Sequence, residues 1–287
     1  MHKQLAKIEN ILEKLYLRYN HRRCIEPDPL QFVYRYSNPA DMEVAALLSA
    51  ALAYGRVRQI EKDLNDLFAR IGPGPHRFVL NFNKAKRRKL DSFKHRFTTG
   101  ADIADLLSVL KIVLRQQASI EKFFLLGCNK ADENIIPALS TFCTSLHHIH
   151  SKQNGRRVST GFRYLLPDPA AGSACKRLNL FLRWMVRHDG VDPGLWKGID
   201  KAKLLVPVDV HMARLSRILG FHNKNTVSLS TAVQITKAFA RIAPSDPAKY
   251  DFALSRVGIT DGCTAKPHQR CKSCQLKQFC RPVRTAT

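Results

Sequence analysis

Acidic residues are scarce in this sequence, and long apolar runs are missing. Asp and Glu number 23 against 47 Lys and Arg, which gives a formal net charge of +24 over 287 residues. No run of apolar residues is long enough to span a membrane. The first twenty residues lack the apolar centre of a signal peptide and instead predict an amphipathic helix. We therefore expect a cytoplasmic, nucleoid-associated protein whose partner is nucleic acid and not a membrane.

Strand-like alternation, internal repeats and low-complexity tracts are also absent, so we predict an all-α fold. Apolar spacing typical of helices recurs at Gln59–Ile71, Ile103–Gln117, Ile120–Leu126, Ile136–His147, Ser228–Ile242 and Pro247–Val257. The run that follows Glu43 is apolar nearly all round and predicts a buried helix. The polar segment Ser151–Ser159, which contains Arg156, is the best candidate for a mobile loop.

Lys176 stands where a small-residue turn meets a helix. Gly172, Ser173 and Ala174 precede it, and small residues allow the backbone to approach a ligand. Apolar residues at helical spacing follow it: Leu178, Phe181, Leu182 and Met185. The first N–H groups of such a helix can bind a phosphate, and the helix dipole disfavours an ammonium there. Lys176 is therefore a candidate nucleophile, and the alternative is a solvated surface lysine.

Asp209 follows Pro207 and begins a second helix. Aspartate is among the best N-cap residues, and capping alone would explain its position. The same carboxylate could stabilise a positive charge that develops on a sugar ring. His211 and Arg214, one turn inside this helix, are candidate phosphate partners, with plain helix surface as the alternative. Lys86 and Arg87, in the basic run Asn81–Lys89, are further candidate phosphate contacts, with a solvated helix end as the alternative.

Four cysteines crowd the C-terminal tail. Cys263, Cys271, Cys274 and Cys280 have the spacing C-x7-C-x2-C-x5-C. In a reducing compartment, thiolates this close indicate a metal or a cluster. Structural zinc sites pair two C-x2-C knuckles, whereas iron–sulfur clusters accept one such pair with flanking single cysteines. We favour a [4Fe–4S] cluster with a structural role, and zinc is the alternative.

Several stretches resemble the helix-hairpin-helix DNA glycosylase superfamily, which includes endonuclease III and 8-oxoguanine glycosylase. The resemblance lies in V-A-A-L-L-S-A-A at 44–51, in G-S-A-C-K at 172–176, in V-P-V-D-V-H-M at 206–212 and in the cysteine tail. The sequences L-R-W-M-V-R and V-D-P-G-L-W further resemble a poorly characterised bacterial subgroup.

This resemblance implies two helical domains that flank a DNA-binding cleft. Residues 1–40 would form an N-terminal arm packed on the cluster domain. Residues 41–199 would form a helical barrel domain that ends in the hairpin-like turn and the Lys176 helix. Residues 200–287 would carry the Asp209 helix and the cluster. Lys176 would be the Schiff-base lysine, Asp209 the catalytic carboxylate, and Gly172 part of the phosphate-binding hairpin.

The implied activity is that of a bifunctional DNA glycosylase and AP lyase, acting as a monomer on duplex DNA with a damaged base. The motif around Asp209 is closest to the 8-oxoguanine branch, so 8-oxoguanine is the favoured substrate. The sequence departs from the family hairpin L-P-G-x-G-x-K, since Ala171 replaces the proline and Ala174 the second glycine. Ala51 also stands where endonuclease III carries a glutamine. These departures leave open a catalytically silent cluster-bearing DNA- or RNA-binding protein as an alternative. A zinc-stapled RNA-binding protein is a third interpretation, which rests only on the charge and the cysteines.

Overall fold

The structure, a computed structural model, describes residues 2–155, 157–259, 262–264 and 269–280. In these ranges the α-helices are α1 His2–Tyr19, α2 Pro39–Ala51, α3 Val57–Ile71, α4 Pro75–Leu80, α5 Lys84–Arg88, α6 Gly100–Gln117, α7 Ile120–Leu125, α8 Ile136–Asn154, α9 Thr160–Leu165, α10 Lys176–Val186, α11 Val210–Ile218, α12 Leu229–Ala240 and α13 Asp251–Ile259. Helix predominates, which confirms the predicted all-α class. Nowhere in the described ranges does a helix combine the length and apolar character needed to cross a membrane.

One small hairpin interrupts the helices. The strands β1 (Lys94–His95) and β2 (Thr98–Thr99) pair antiparallel, with His95 opposite Thr98. Arg96 and Phe97 form its turn, and Arg96 takes a left-handed φ of 50°. Two residues per strand are too few to produce a readable alternation, so the sequence did not predict this hairpin.

Helix starts follow from local capping. The Asn38 side chain accepts a hydrogen bond from the N–H of Ala40 at 2.9 Å, and Pro39 occupies the first turn of α2. Thr99 and Asp102 form a reciprocal capping box at the start of α6. Every residue of α2 from 42 to 51 is buried, which confirms the buried helix predicted there.

The larger hydrophobic cluster fills the space around α2. Its members run from Ile25 to Phe252 and include residues of α3, α6, α8 and α10, and α10 packs directly on α2. Glu43 is buried within it, and its carboxylate accepts hydrogen bonds from Trp196 Nε1 at 2.8 Å and from the N–H groups of Ile120 and Glu121. A buried carboxylate thus caps the start of α7, and its burial raises the pKa of Glu43.

The smaller cluster joins the two ends of the chain. The apolar face of α1 packs against α13, together with residues of α11 and α12. Glu13 on α1 accepts hydrogen bonds from Lys249 Nζ at 2.5 Å and from the Tyr250 hydroxyl at 2.6 Å. Leu276, between the third and fourth cysteines of the tail, is buried in the same cluster. The cysteine segment is therefore anchored beside the N-terminal helix.

Two segments differ from the sequence prediction. Helix α8 continues to Asn154, so the segment expected to be a loop from Ser151 begins as helix. Gly155 then ends the helix with a φ of 57°, and Arg156 lies outside the described residues. The short helix α9 was not predicted, because six residues give too little periodicity; Ser159 caps it through the N–H of Phe162.

Candidate functional site

A cavity of about 810 Å³ opens beside the first residues of α10 and α11. The segment between α2 and α3 and the helix α13 complete its wall. Its charged lining side chains are Asp28, Lys176, Arg177, Arg183, Asp209, Arg214, Asp251 and Arg256. Lys176 and Asp209, selected separately from the sequence, therefore line one and the same cavity.

Lys176 is the first residue of α10. Cys175, the residue before it, has a left-handed φ of 45°, which is unusual for a residue other than glycine. The Cys175 side chain does not cap the helix. The Lys176 side chain is half-buried, and its Nζ donates a hydrogen bond to the carbonyl of Ala53 at 3.2 Å. The amine is thus held at the cavity wall by a neutral acceptor.

Asp209 is the N-cap of α11. Its Oδ1 accepts hydrogen bonds from the N–H groups of His211 at 2.9 Å and Met212 at 2.8 Å. The residue is half-buried and lines the cavity. Capping and a role in the cavity are therefore compatible, because one oxygen satisfies both backbone donors.

Asp251 is a buried carboxylate in the wall of the same cavity. It is 5% exposed, lines the same cavity, and accepts a hydrogen bond from Arg183 Nη1. Burial raises the pKa of Asp251, Arg183 lowers it, and the charges of Asp209 and Lys176 act on it in opposite directions. The three residues therefore belong to one electrostatic unit.

A chain of buried ion pairs continues beneath this unit. Arg183 also donates to Asp192 at 3.1 and 3.2 Å, and Arg187 bridges Asp192 to Asp246. Except for Asp246, which is 8% exposed, these side chains are at most 3% exposed. The sequence contained a signal for this network: two arginines one helical turn apart in an otherwise apolar run, followed by an aspartate-rich turn.

Arg177 is a further buried cation that the sequence did not predict. Its guanidinium lies 5.1 Å from the ring centre of Tyr54 and 4.5 Å from that of Tyr164. It donates to the carbonyls of Ala51 and Tyr164. Burial lowers the pKa of Arg177, and the two rings and carbonyls hold it in place. Ala51 itself is buried and supplies only this carbonyl.

His211 and Arg214, the candidate phosphate partners, both line the cavity. Arg214 Nη1 donates to the carbonyl of Cys263 at 2.8 Å, which ties α11 to the first cysteine of the tail. The Nδ1 atom of His211 is buried without a hydrogen-bond partner among the described residues.

Lys86 and Arg87 lie on α5, apart from the cavity lining. Lys86 Nζ donates to the carbonyl of Phe78 at 3.1 Å, and Arg87 pairs with Asp105 at 2.8 Å. Burial lowers the pKa of Lys86, and its neighbours Lys89, Arg77 and Lys111 lower it further. Both predicted phosphate contacts therefore already have partners inside the protein.

Gly172 lies in the turn that precedes α10. It is exposed, has a φ of 83°, and accepts a hydrogen bond from the N–H of Leu229 at 2.9 Å. It is not part of the cavity lining. The left-handed φ accounts for glycine at this position, since other residues rarely adopt it.

The pKa of the Cys280 thiol depends on the other three tail cysteines. Burial raises the pKa of the Cys280 thiol, and Cys263, Cys271 and Cys274 each raise it further. Their thiols thus form a suitable donor set for a metal or cluster. Across the residues that the structure describes, however, no three His, Cys, Asp or Glu side chains are arranged to hold a metal ion. The donor chemistry of the four thiols fits a metal or a cluster.

Cys175, next to Lys176, is a structural thiol. It is 2% exposed, and its Sγ donates to the carbonyl of Pro167 at 3.2 Å. Burial raises the pKa of Cys175 to about 11. Because the thiolate is the reactive form, this cysteine is a poor nucleophile at neutral pH.

No curated protein and no solved structure matches the chain. A family profile described as protein of unknown function (DUF2400) matches residues 28–260. The matched segment contains Lys176, Asp209 and Asp251 and ends before Cys263. Since it spans most of the sequence, the chain belongs to the DUF2400 family.

Proposed function

We propose that this protein is a DNA glycosylase with AP lyase activity, related to the helix-hairpin-helix glycosylases, that removes an oxidised base from duplex DNA. One observation carries the proposal: Lys176 and Asp209 line the same cavity, and the charges of both act on the buried Asp251. With an amine and a carboxylate in one cavity, the amine can attack a sugar carbon as its base leaves, and the carboxylate can stabilise the charge that develops. The net charge of +24 suits a DNA partner.

In this proposal Lys176 is the nucleophile. Its uncharged amine attacks the anomeric carbon, and the glycosidic bond breaks as the base leaves with the bonding electrons and takes up a proton. The attacking nitrogen then gives one proton to water, and the C1′–O4′ bond breaks as O4′ takes up a proton, which leaves a protonated Schiff base. Loss of the neighbouring C2′ proton then expels the 3′ phosphate and nicks the strand. The hydrogen bond to the Ala53 carbonyl holds the amine in position before attack.

Asp209 would act on the transition state. Positive charge develops on the sugar ring as the base departs, and a fixed carboxylate stabilises that charge. Its position is set in advance by the two backbone donors of α11. The damaged nucleotide must leave the duplex to reach the cavity, which costs a few kcal/mol, as in other enzymes that flip bases. The similarity of V-P-V-D-V-H-M to the 8-oxoguanine branch favours 8-oxoguanine as the base.

Borohydride trapping tests this function directly. Duplexes with 8-oxoguanine, oxidised pyrimidines or an abasic site would be incubated with the protein and borohydride, which reduces a Schiff base to a stable adduct. We expect wild-type protein to give an adduct and Lys176→Gln to give none while still binding DNA. Lys197→Gln is the matched control, because Lys197 bonds to the Gly194 carbonyl and does not line the cavity. An adduct that survives Lys176→Gln would assign the reaction to another lysine.

We further propose that the cavity forms the DNA cleft between two helical domains, 41–199 and 200–287. Of the 1–40 arm, α1 lies on the second domain, whereas the apolar residues from 25 to 33 pack in the cluster around α2. Cys263, Cys271, Cys274 and Cys280 would hold a [4Fe–4S] cluster with a structural role, which fixes the basic tail near Arg214. Anaerobically purified protein should then be brown, with the colour lost in Cys274→Ser. Colourless protein with stoichiometric zinc would replace the cluster by zinc.

A catalytically silent DNA- or RNA-binding protein is the second candidate. The occupied Lys176 amine, bonded to a carbonyl, and the altered hairpin around Ala171 and Ala174 favour it. Wild-type protein that binds lesion duplexes but yields neither free base nor trapped adduct would support this candidate and exclude the glycosylase.

A further inference from the structure

The tip of the β1–β2 hairpin presents an aromatic ring to solvent. Phe97 is 70% exposed, the highest value among the exposed large hydrophobic side chains of the described residues. Arg96 beside it is exposed as well, with its guanidinium 5.4 Å from the Phe97 ring centre. Single exposed apolar residues are common on protein surfaces, so exposure alone does not indicate a binding site.

The residues on either side of the tip are fixed. His95 is fully buried, with Nδ1 2.6 Å from the Asp63 carboxylate and Nε2 3.0 Å from the Tyr54 carbonyl. The Tyr54 hydroxyl donates to the His95 carbonyl at 2.8 Å and lies 2.8 Å from the hydroxyl of Thr98, which is also buried. The tip is therefore a preorganised feature and not a loose loop, so a ligand that meets Phe97 orders little backbone.

A row of aromatic rings leads from this tip to the cavity. The Phe97 ring lies edge-to-face with Tyr164 at 6.2 Å, and Tyr164 lies edge-to-face with Tyr54 at 5.1 Å. Tyr54 and Gly55 line the cavity. The Arg96 side chain covers Gly55, since a Cβ there would lie 2.8 Å from Arg96 Cδ. The tip therefore stands at the rim of the cavity that contains Lys176 and Asp209.

We propose that Phe97 is a stacking residue for an unpaired nucleobase at the cavity rim, with Arg96 beside it for the adjoining phosphate. The inference rests on the proposed function in taking nucleic acid as the partner. Every base has a π-face, and stacking on an exposed aromatic ring near basic side chains is a general mode of binding unpaired strands. The net charge of +24 and the guanidinium beside the ring favour this partner over an apolar protein surface.

A tryptophan reporter tests the contact. The two natural tryptophans, Trp184 and Trp196, are buried at 0% and 2% exposure, so they contribute a constant background. Phe97→Trp would place a third at the tip, where stacking on a base quenches indole fluorescence. Leu126→Trp is the matched control, because Leu126 is 67% exposed and does not line the cavity. The probes are oligothymidylate and a duplex that contains an abasic-site analogue.

We expect emission of Phe97→Trp to fall saturably on addition of either probe and that of Leu126→Trp to stay constant. Phe97→Ala should bind the abasic duplex about tenfold more weakly than wild type. Unchanged Phe97→Trp emission while a labelled probe binds, or no binding of either probe, would overturn the inference. Quenching without a borohydride adduct would support the stacking role of Phe97 and contradict the proposed glycosylase activity. An adduct without quenching would support the glycosylase activity and contradict the stacking role.

Discussion

The cavity and the basic helix α5 both contain cations that the sequence identified as candidate functional residues, and these cations have different partners in the structure. At the cavity, Lys176 contacts a neutral carbonyl and shares the cavity lining with the carboxylates of Asp209 and Asp251. On α5, Arg87 is paired with Asp105, and Lys86 also donates to a carbonyl, that of Phe78, but its charged neighbours are cations. In a sequence, a carboxylate that shares a cavity with a cation cannot be distinguished from one that forms an ion pair with it. The partners of each cation, which only the fold supplies, make the difference.

The largest expected effect comes from the ion pairs beneath the cavity. Arg183→Met leaves Asp251 buried without its cation, so the free energy of unfolding should fall by about 3–5 kcal/mol. Arg87→Met should cost only about 1 kcal/mol, because Arg87 is partly exposed and Asp105 keeps His150. Denaturant unfolding of the two variants measures the contrast.

A rescue variant sharpens this test. Asp251→Asn added to Arg183→Met removes the uncompensated charge, so the double variant should recover part of the lost stability. Equal losses in Arg183→Met and Arg87→Met would show that the network beneath the cavity contributes no more than a surface pair.

The second effect concerns the chemistry at the cavity. Asp209→Asn keeps an oxygen that can cap α11 but removes the charge, so base release should slow about 10²–10³-fold with little change in DNA binding. Lys86→Gln should leave the rate of base release unchanged. Single-turnover release of 8-oxoguanine, beside an equilibrium binding measurement, separates the two properties. Equal weakening of binding and release in Asp209→Asn would make the residue a structural cap.

Much of the fold was open to prediction from sequence because local rules dominate it. Asn38 with Pro39 and Asp209 are ordinary caps, and apolar spacing gave α6, α7 and α12 within a few residues. The hairpin and α9 escaped prediction because they are shorter than the periods that reveal strands and helices. Yet these two elements hold Phe97 and Tyr164, the aromatic residues at the rim.

The site was predictable only in part for a different reason. Lys176 and Asp209 carry local signals, a small-residue turn and a helix start. Asp251, Arg177 and Arg183 matter through contacts with distant segments: Arg183 reaches Asp251 across the interface of α10 and α13, and Arg177 reaches the Ala51 carbonyl. Such pairings depend on how helices pack, and a single sequence does not reveal them.

The third effect is a salt dependence. If DNA binding involves about six phosphate contacts, log affinity against log salt should slope near −5. Lys86→Glu with Arg87→Glu would remove about two units of slope if both side chains contact phosphate. Because both have internal partners, we expect a change of no more than about one unit. A two-unit change would place α5 on the DNA. Arg70→Glu is a control, since Arg70 is partly exposed and paired with Asp66.

The smallest effect is a pH dependence at α5. The pKa of Lys86 is lowered from its ordinary 10.5 by burial, and then by Lys89, Arg77 and Lys111. Below the folded-state pKa both states carry the ammonium, and its penalty in the folded state is fully present. As pH rises from that value to the unfolded pKa, the folded state loses its proton first and the penalty disappears. Wild-type stability should therefore rise relative to Lys86→Met across this alkaline window.

Methionine is a suitable replacement for Lys86. The Lys86 amine lies 4.7 Å from the centre of the Phe78 ring, and methionine keeps an apolar side chain over this ring, so packing changes little. Urea unfolding of both proteins across the alkaline range measures the difference. A difference that stays constant with pH would mean that the Lys86 ammonium is not destabilised in the folded state.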